Sequence, residues 1–131
     1  MTIHPTFRYD DPRAVITFLT DALGFVAEHV STSDDGRVAH AELSFRGLPD
    51  DPPGVIMLGT RRGDADTYDT GRAVTYLVVD DPDDRYRRAV DAGAEVVHGL
   101  VDQPYGSREF AVRDPEGNIW SFGTYRPTVK P

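Results

Sequence analysis

The sequence contains no cysteine. That absence excludes disulfides, thiolate metal sites and cysteine nucleophiles, and leaves only His, Asp and Glu as strong metal donors. Long apolar runs are also missing. None approaches the roughly 20 residues that a membrane-spanning helix needs, so no membrane partner is expected. The first residues, Met1-Thr2-Ile3-His4-Pro5, lack a basic stretch followed by an apolar one, so no secretory signal is expected and a cytoplasmic location follows by default. Positive charge is scarce: 14 Lys and Arg stand against 22 Asp and Glu, a formal net charge of -8. The densest basic stretch, Arg85, Arg87 and Arg88, lies beside Asp80, Asp81, Asp83 and Asp84. It reads as a solvated helix face, and no nucleic-acid partner is expected.

What is present is one domain's worth of chain, 131 residues with 39% hydrophobic and 27% charged, as expected for a globular protein with its own core. An internal repeat organises it. Arg8-Tyr9-Asp10-Asp11-Pro12 opens a helical pattern that closes at Leu23-Gly24-Phe25. Val78-Val79-Asp80-Asp81-Pro82 opens a second, closing at Ala92-Gly93-Ala94. The junction chemistry explains the recurrence. An Asp carboxylate can accept the free N–H groups of a helix start. Pro suits the first helical position, where its missing donor costs nothing. Gly accepts the left-handed backbone that ends a helix.

Strands are expected at Phe25–Ser31, Arg37–Phe45 and Val55–Thr60 in the first unit. In the second they are expected at Ala73–Val79, Glu95–Val101, Arg108–Arg113 and Asn118–Tyr125. The order is β-α-β-β-β twice: repeat 1 over about residues 3–60, a polar linker over about 61–71, and repeat 2 over about 72–125. The result is an α+β fold of two βαβββ repeats, with curled, largely antiparallel mixed sheets and helices on their outer face. Asp114-Pro115-Glu116-Gly117-Asn118 reads as a tight turn joining the last two strands, and Arg126–Pro131 as a frayed tail.

Three stretches carry a resemblance: the Asp-Asp-Pro helix starts, Leu23-Gly24-Phe25, and Tyr105-Gly106-Ser107-Arg108 leading to Asp114-Pro115-Glu116-Gly117-Asn118-Ile119-Trp120-Ser121-Phe122. In this order they resemble the vicinal oxygen chelate superfamily of glyoxalases, bleomycin-resistance proteins and ring-opening dioxygenases. In metal-using members, four ligands, usually two His or Gln and two Glu, come from the first and last strands of each unit. The resemblance places His4, Met57, Val74 and Ser121 at those positions. Only His4 has a suitable donor, because valine and methionine cannot replace imidazole or carboxylate on a hard or borderline divalent ion. No metal and no cofactor is expected. The resemblance also implies a homodimer whose cleft draws on both chains.

If His4 marks the concave face, Thr6 and Arg8 share it by alternation, as Tyr76 and Val78 follow Val74. Phe7, Tyr9, Leu77, Trp120 and Phe122 then form core. The expected cleft is His4, Thr6, Arg8, Met57, Val74, Tyr76 and Ser121, a mixture suited to a small organic ligand. Arg8 could hold a ligand carboxylate or pair with one of the chain's own acids.

His40 and Glu42 share a strand face, with Glu28 and His29 on the neighbouring strand. They could form a metal or acid–base pair, or simply occupy a wet face that also carries Val38 and Ser44. Tyr105 and Arg108 lie in a loop before a strand, where a rigid scaffold could put them to functional use; the favoured expectation is that Tyr105 packs over the sheet end and Arg108 pairs with a carboxylate. The leading functional expectation is a metal-free small-molecule-binding protein similar to the bleomycin-resistance branch. The alternatives are a metal-dependent lyase, isomerase or dioxygenase using other ligands such as His40 and Glu42, or a metal-independent enzyme using Tyr, Arg or His4.

Overall fold

A computed structural model describes residues 3–63 and 65–131; Met1, Thr2 and the linker residue Asp64 lie outside it. The elements run β1 (Thr6–Tyr9), α1 (Pro12–Asp21), β2 (Val26–Thr32), β3 (Val38–Phe45), β4 (Gly54–Thr60), β5 (Val74–Val78), α2 (Pro82–Asp91), β6 (Glu95–Asp102), β7 (Arg108–Arg113) and β8 (Ile119–Gly123). They build two four-stranded sheets, ordered β1-β4-β3-β2 and β5-β8-β7-β6. In each, the first pair is parallel and the others antiparallel. The repeated βαβββ architecture expected from the sequence is thus the observed one, with mixed sheets and a helix between the first two strands of each unit.

The helix junctions show the expected chemistry with one correction. Asp11 accepts the Ala14 N–H at 3.2 Å, capping α1. Asp81 makes no such bond at α2. Its carboxylate is instead engaged by Arg85 one turn on, at 3.1 Å, so an ion pair has displaced the cap. Gly24 and Gly93 end the helices with φ of 81° and 84°.

Both helices pack on the core face of the sheets, the side away from the expected cleft, and the two units share one core. Val15 and Leu19 of α1 and Ala89 of α2 are fully buried. Trp120, fully buried on β8, is the meeting point: its ring centroid lies 5.5 Å from those of Phe7 and Phe25 in the first unit. Phe45 meets Phe122 at 6.0 Å across the same boundary. Arg88 of α2 donates to the end carbonyls of α1, Thr20 at 2.9 Å and Asp21 at 3.1 Å.

The Asp114–Asn118 turn does more than join two strands. Asp114 is buried, and its carboxylate accepts the Tyr9 hydroxyl at 2.7 Å, the Trp120 indole N–H at 3.1 Å and the backbone N–H groups of Glu116 and Asn118. Burial, then the neighbouring carboxylate, pushes the Tyr9 phenol far above its ordinary range. Glu116 reaches the other way, accepting the Asp10 and Asp11 N–H groups, each at 2.8 Å. The turn therefore completes the start of α1 and fastens the second unit to the first. At the C-terminal end, the segment expected to fray is held at Arg126, which pairs with Asp51 at 2.7 Å.

Candidate functional site

Alternation sorts each sheet into a core face and an outer face. Tyr9, Ile56, Leu58, Leu77, Trp120 and Phe122 are buried, whereas Thr6, Arg8, Met57, Val74, Tyr76 and Ser121 are half-buried or exposed. The register aligns matching rows. Across the first sheet, Thr6 pairs with Met57, Met57 with Glu42 and Glu42 with His29. Across the second, Tyr76 pairs with Ser121, Ser121 with Ala111 and Ala111 with His98. His4 stands two residues before Thr6, as Val74 stands two before Tyr76. Its Nδ1 lies 2.8 Å from the Val55 carbonyl oxygen. Val74 is 69% exposed.

These rows put His4, Met57, Val74 and Ser121 at corresponding places of the two units. One imidazole, one thioether, one isopropyl group and one hydroxyl do not make a donor set for a divalent ion. The four positions do not fit the metal that the fold family implies. Among the described residues, no group of three or more His, Cys, Asp or Glu side chains is placed to hold one.

The seam between β1 and β5 brings four of the expected cleft residues together. Thr6, Arg8, Val74 and Tyr76 line a groove of about 370 Å³. A second pocket of about 280 Å³ adjoins it, sharing Pro5, Thr75 and Tyr76, with Phe25, Phe45, Leu48 and Trp120 in its walls. His4, Met57 and Ser121 line neither cavity. Arg8 pairs with the linker residues Asp69 at 3.0 Å and Asp66 at 3.3 Å, and its guanidinium carbon lies 5.6 Å from the Tyr68 ring centroid. Desolvation pushes the Asp69 carboxyl upward, but the Gly63 and Arg62 N–H groups and Arg8 together hold it below its usual range.

The first sheet's outer face carries a denser polar group. His40 Nε2 lies 2.8 Å from Glu42 Oε2, and the His29 and His40 ring centroids are 6.4 Å apart. The hydrogen bond to His40 holds the Glu42 carboxyl below its usual range; mild desolvation opposes this, and the charges of His40, His29 and His4 assist. The Ser44 hydroxyl donates to Glu28 at 2.8 Å. Simple alternation would separate Glu28 from His29, but a register shift between Ala27 and His29 interrupts it. A second shift, at Ser31–Thr32 opposite His40–Val38, corrects the expected pattern of β3. Val38 is buried and Ala39 exposed, so Val38 leaves the wet face assigned to it.

On the second sheet, Glu109 and Tyr125 were not among the expected site residues. Glu109 lies on β7 opposite Gly123 and accepts the Tyr105 hydroxyl at 2.8 Å, while the Tyr76 hydroxyl donates to the Tyr125 carbonyl at 2.8 Å. The available signal was the alternation of Glu109 and Ala111 with the core residues Phe110 and Val112. Arg108 points elsewhere, to Asp83 at 2.7 Å and Asp102 at 3.1 Å.

Two four-stranded βαβββ units in one chain define the class of this protein. A family model described as the Glyoxalase/Bleomycin resistance protein/Dioxygenase superfamily matches residues 2–122. The chain belongs to that superfamily. Uncharacterized proteins of Mycobacterium bovis and Mycobacterium tuberculosis H37Rv are each 36% identical to it over 130 residues. Both alignments cover 92% of this chain, with 81% and 72% of the respective relatives. Among solved structures, TioX from Micromonospora sp. ML1 is similar with a TM-score of 0.74 and 25% identity, covering 99% of this chain and 100% of TioX. A glyoxalase/bleomycin resistance protein from Streptomyces sp. CB03234 shares the fold, with a TM-score of 0.69 and 20% identity over 93% of this chain and 98% of that one.

Proposed function

We propose that this protein binds a small organic molecule in the cleft carrying His4, Thr6, Arg8, Met57, Val74, Tyr76 and Ser121. It does so without the superfamily's metal and in the manner of the bleomycin-resistance branch. The observation that carries this reading is the donor chemistry of the four ligand positions, where Val74 and Met57 stand in place of imidazole and carboxylate. The groove along the β1–β5 seam supports it, since it gathers Thr6, Arg8, Val74 and Tyr76 on one concave surface, polar handles beside apolar side chains. A homodimer belongs to the same reading: exposed valines on the outer faces, Val74 among them, would be covered by a second copy. A cytoplasmic location is consistent with a chain free of cysteine.

The test is to incubate the protein with Mn²⁺, Ni²⁺, Zn²⁺ and Fe²⁺, desalt it, and measure bound metal by elemental analysis. A panel of organic compounds is screened in parallel by native mass spectrometry. Substoichiometric metal together with retained compounds is the expected result. One tightly held ion per chain would overturn the metal-free reading.

A second reading, metal-independent acid–base chemistry, is favoured by one contact, the 2.8 Å pairing of His40 with Glu42 on the open sheet face. Turnover of a cleft ligand that Glu42→Gln abolishes, with binding retained, would select it.

A further inference from the structure

We infer that the outer face of the second sheet holds a subsite for an organic cation of the alkylammonium type, built from Glu109, Tyr76, Tyr105 and Tyr125. This inference rests on the cleft reading above and names the chemistry that one part of the cleft selects.

The starting point is Glu109, which is only 8% exposed. A carboxylate removed from water to that degree is costly unless a cation or several hydrogen bonds compensate it. The buried Asp114 shows what compensation looks like, with four donors on its two oxygens. Glu109 has one, the Tyr105 hydroxyl on Oε1. Among the described residues, no Arg, Lys or His forms an ion pair with it. The nearby cations are committed elsewhere: Arg108 to Asp83 and Asp102, and Arg126 to Asp51. Nor is Oε2 sealed, because no buried side-chain oxygen lacks a partner. The carboxylate is therefore shielded, short of positive charge and still open to a small group.

What shields it are aromatic side chains. The Tyr105 and Tyr125 rings stand nearly perpendicular, at 85° with centroids 6.1 Å apart, forming two walls of a corner. Tyr76 closes a third side, and Gly123 makes this possible. A methyl group there would stand 2.5 Å from the Tyr76 hydroxyl oxygen and 2.7 Å from Glu109 Cγ, so both side chains share the space over bare backbone. Tyr105 and Tyr125 remain 61% and 50% exposed, leaving their rings available to a ligand. The hydrogen bond to Glu109 pushes the Tyr105 phenol above its ordinary range, and burial does the same for Tyr76, so both rings stay neutral at physiological pH. Tyrosine faces attract a cation through their quadrupoles, and the hydroxyl ends of Tyr105 and Tyr76 stand beside a carboxylate that needs one. Alkylammonium groups match both features, offering a diffuse charge and methyl surface to the rings. The chain's net charge of -8 adds a long-range field of the favourable sign.

The probes are choline and its uncharged isostere 3,3-dimethylbutan-1-ol, titrated into the full-length protein at low ionic strength and followed by calorimetry and by NMR shifts of Tyr105 and Tyr125. Choline is expected to bind about tenfold or more tightly than the alcohol. Glu109→Gln should weaken choline by a similar factor while leaving the alcohol unchanged, and Tyr105→Phe, which keeps the ring, should retain choline binding. Thermal unfolding and the NMR fingerprint of each variant verify that it is folded. Equal affinity for both compounds, insensitive to Glu109→Gln, would overturn the cation subsite and leave the organic-ligand cleft standing. Saturable binding of neither would overturn the subsite itself, while the compound screen continues to test the cleft.

Discussion

The Tyr9 hydroxyl donates to the Asp114 carboxylate at 2.7 Å, joining the first strand of one unit to the last turn of the other across 105 positions of sequence. Asp114→Ala removes the acceptor for this hydroxyl and for the Trp120 indole N–H, both buried. Unsatisfied buried donors of this kind cost about 1–3 kcal/mol each, so a loss of about 2–4 kcal/mol is expected. Urea unfolding monitored by Trp120 fluorescence measures it. A midpoint within error of the parent would show that the network contributes nothing.

Glu116 acts on a helix it does not belong to. Glu116→Ala uncovers the Asp10 and Asp11 N–H groups and should cost about 1 kcal/mol, the usual value of a helix cap. Hydrogen exchange should accelerate at Asp10 and Asp11 and in the first turn of α1, with the first turn of α2 unchanged. Uniform acceleration over both helices would contradict a local capping role.

Gly47 sits against the second unit so closely that a methyl group would overlap the Val78 carbonyl. Gly47→Ala is expected to destabilise by about 1–3 kcal/mol through overpacking. Gly54 has open space around it, so Gly54→Ala should stay within about 0.5 kcal/mol of the parent. Thermal melts of the two variants side by side test the contrast.

The pairing of His40 with Glu42 makes a pH prediction. The folded state holds the Glu42 carboxyl below its unfolded value, so the folded state favours the ionised form. The associated stabilisation is fully present above the unfolded glutamate range and is lost as pH falls through the lowered folded value. Carboxyl-carbon NMR titration should therefore find the Glu42 midpoint below 4.5, the ordinary glutamate value. His40→Ala should move it upward, and an unmoved midpoint would remove His40 as the cause.

Association can be probed at Val74, an aliphatic side chain 69% exposed on the outer face of β5. Sedimentation at micromolar concentration should find a species of twice the 14.5 kDa chain mass. Val74→Asp, which would bury a charge in the pairing surface, should shift it toward single chains. A parent protein that sediments as 14.5 kDa would refute the dimer.

Much of this architecture was legible because it depends on short-range chemistry. Asp-Asp-Pro and the helix-closing glycines mark where each helix starts and ends. Period-two alternation correctly set Phe7 and Tyr9 against Thr6 and Arg8, and Trp120 and Phe122 against Ser121. What was not legible depends on partners distant in the chain. The register shifts that bring Glu28 beside His29, and that bury Val38, are properties of a strand pair and leave no mark on one strand alone. Asp81 looks like Asp11 in sequence, and only Arg85 makes it behave differently. Glu109 is of interest because of what does not pair with it, and that emerges only when Tyr76, Tyr105 and Tyr125 converge from three segments.

Glu116 also has a consequence for how the protein is made. A ribosome adds about 5–20 residues per second, so Asp10 and Asp11 leave the exit tunnel several seconds before the carboxylate that completes their helix. Until then the nascent first unit has an uncapped α1 and no Trp120 to cover Phe7 and Phe25. The first unit therefore reaches its final packing only once the second has followed it. Stalled or truncated chains ending before residue 114 should be degraded as unfolded polypeptide rather than persist as half-sized domains.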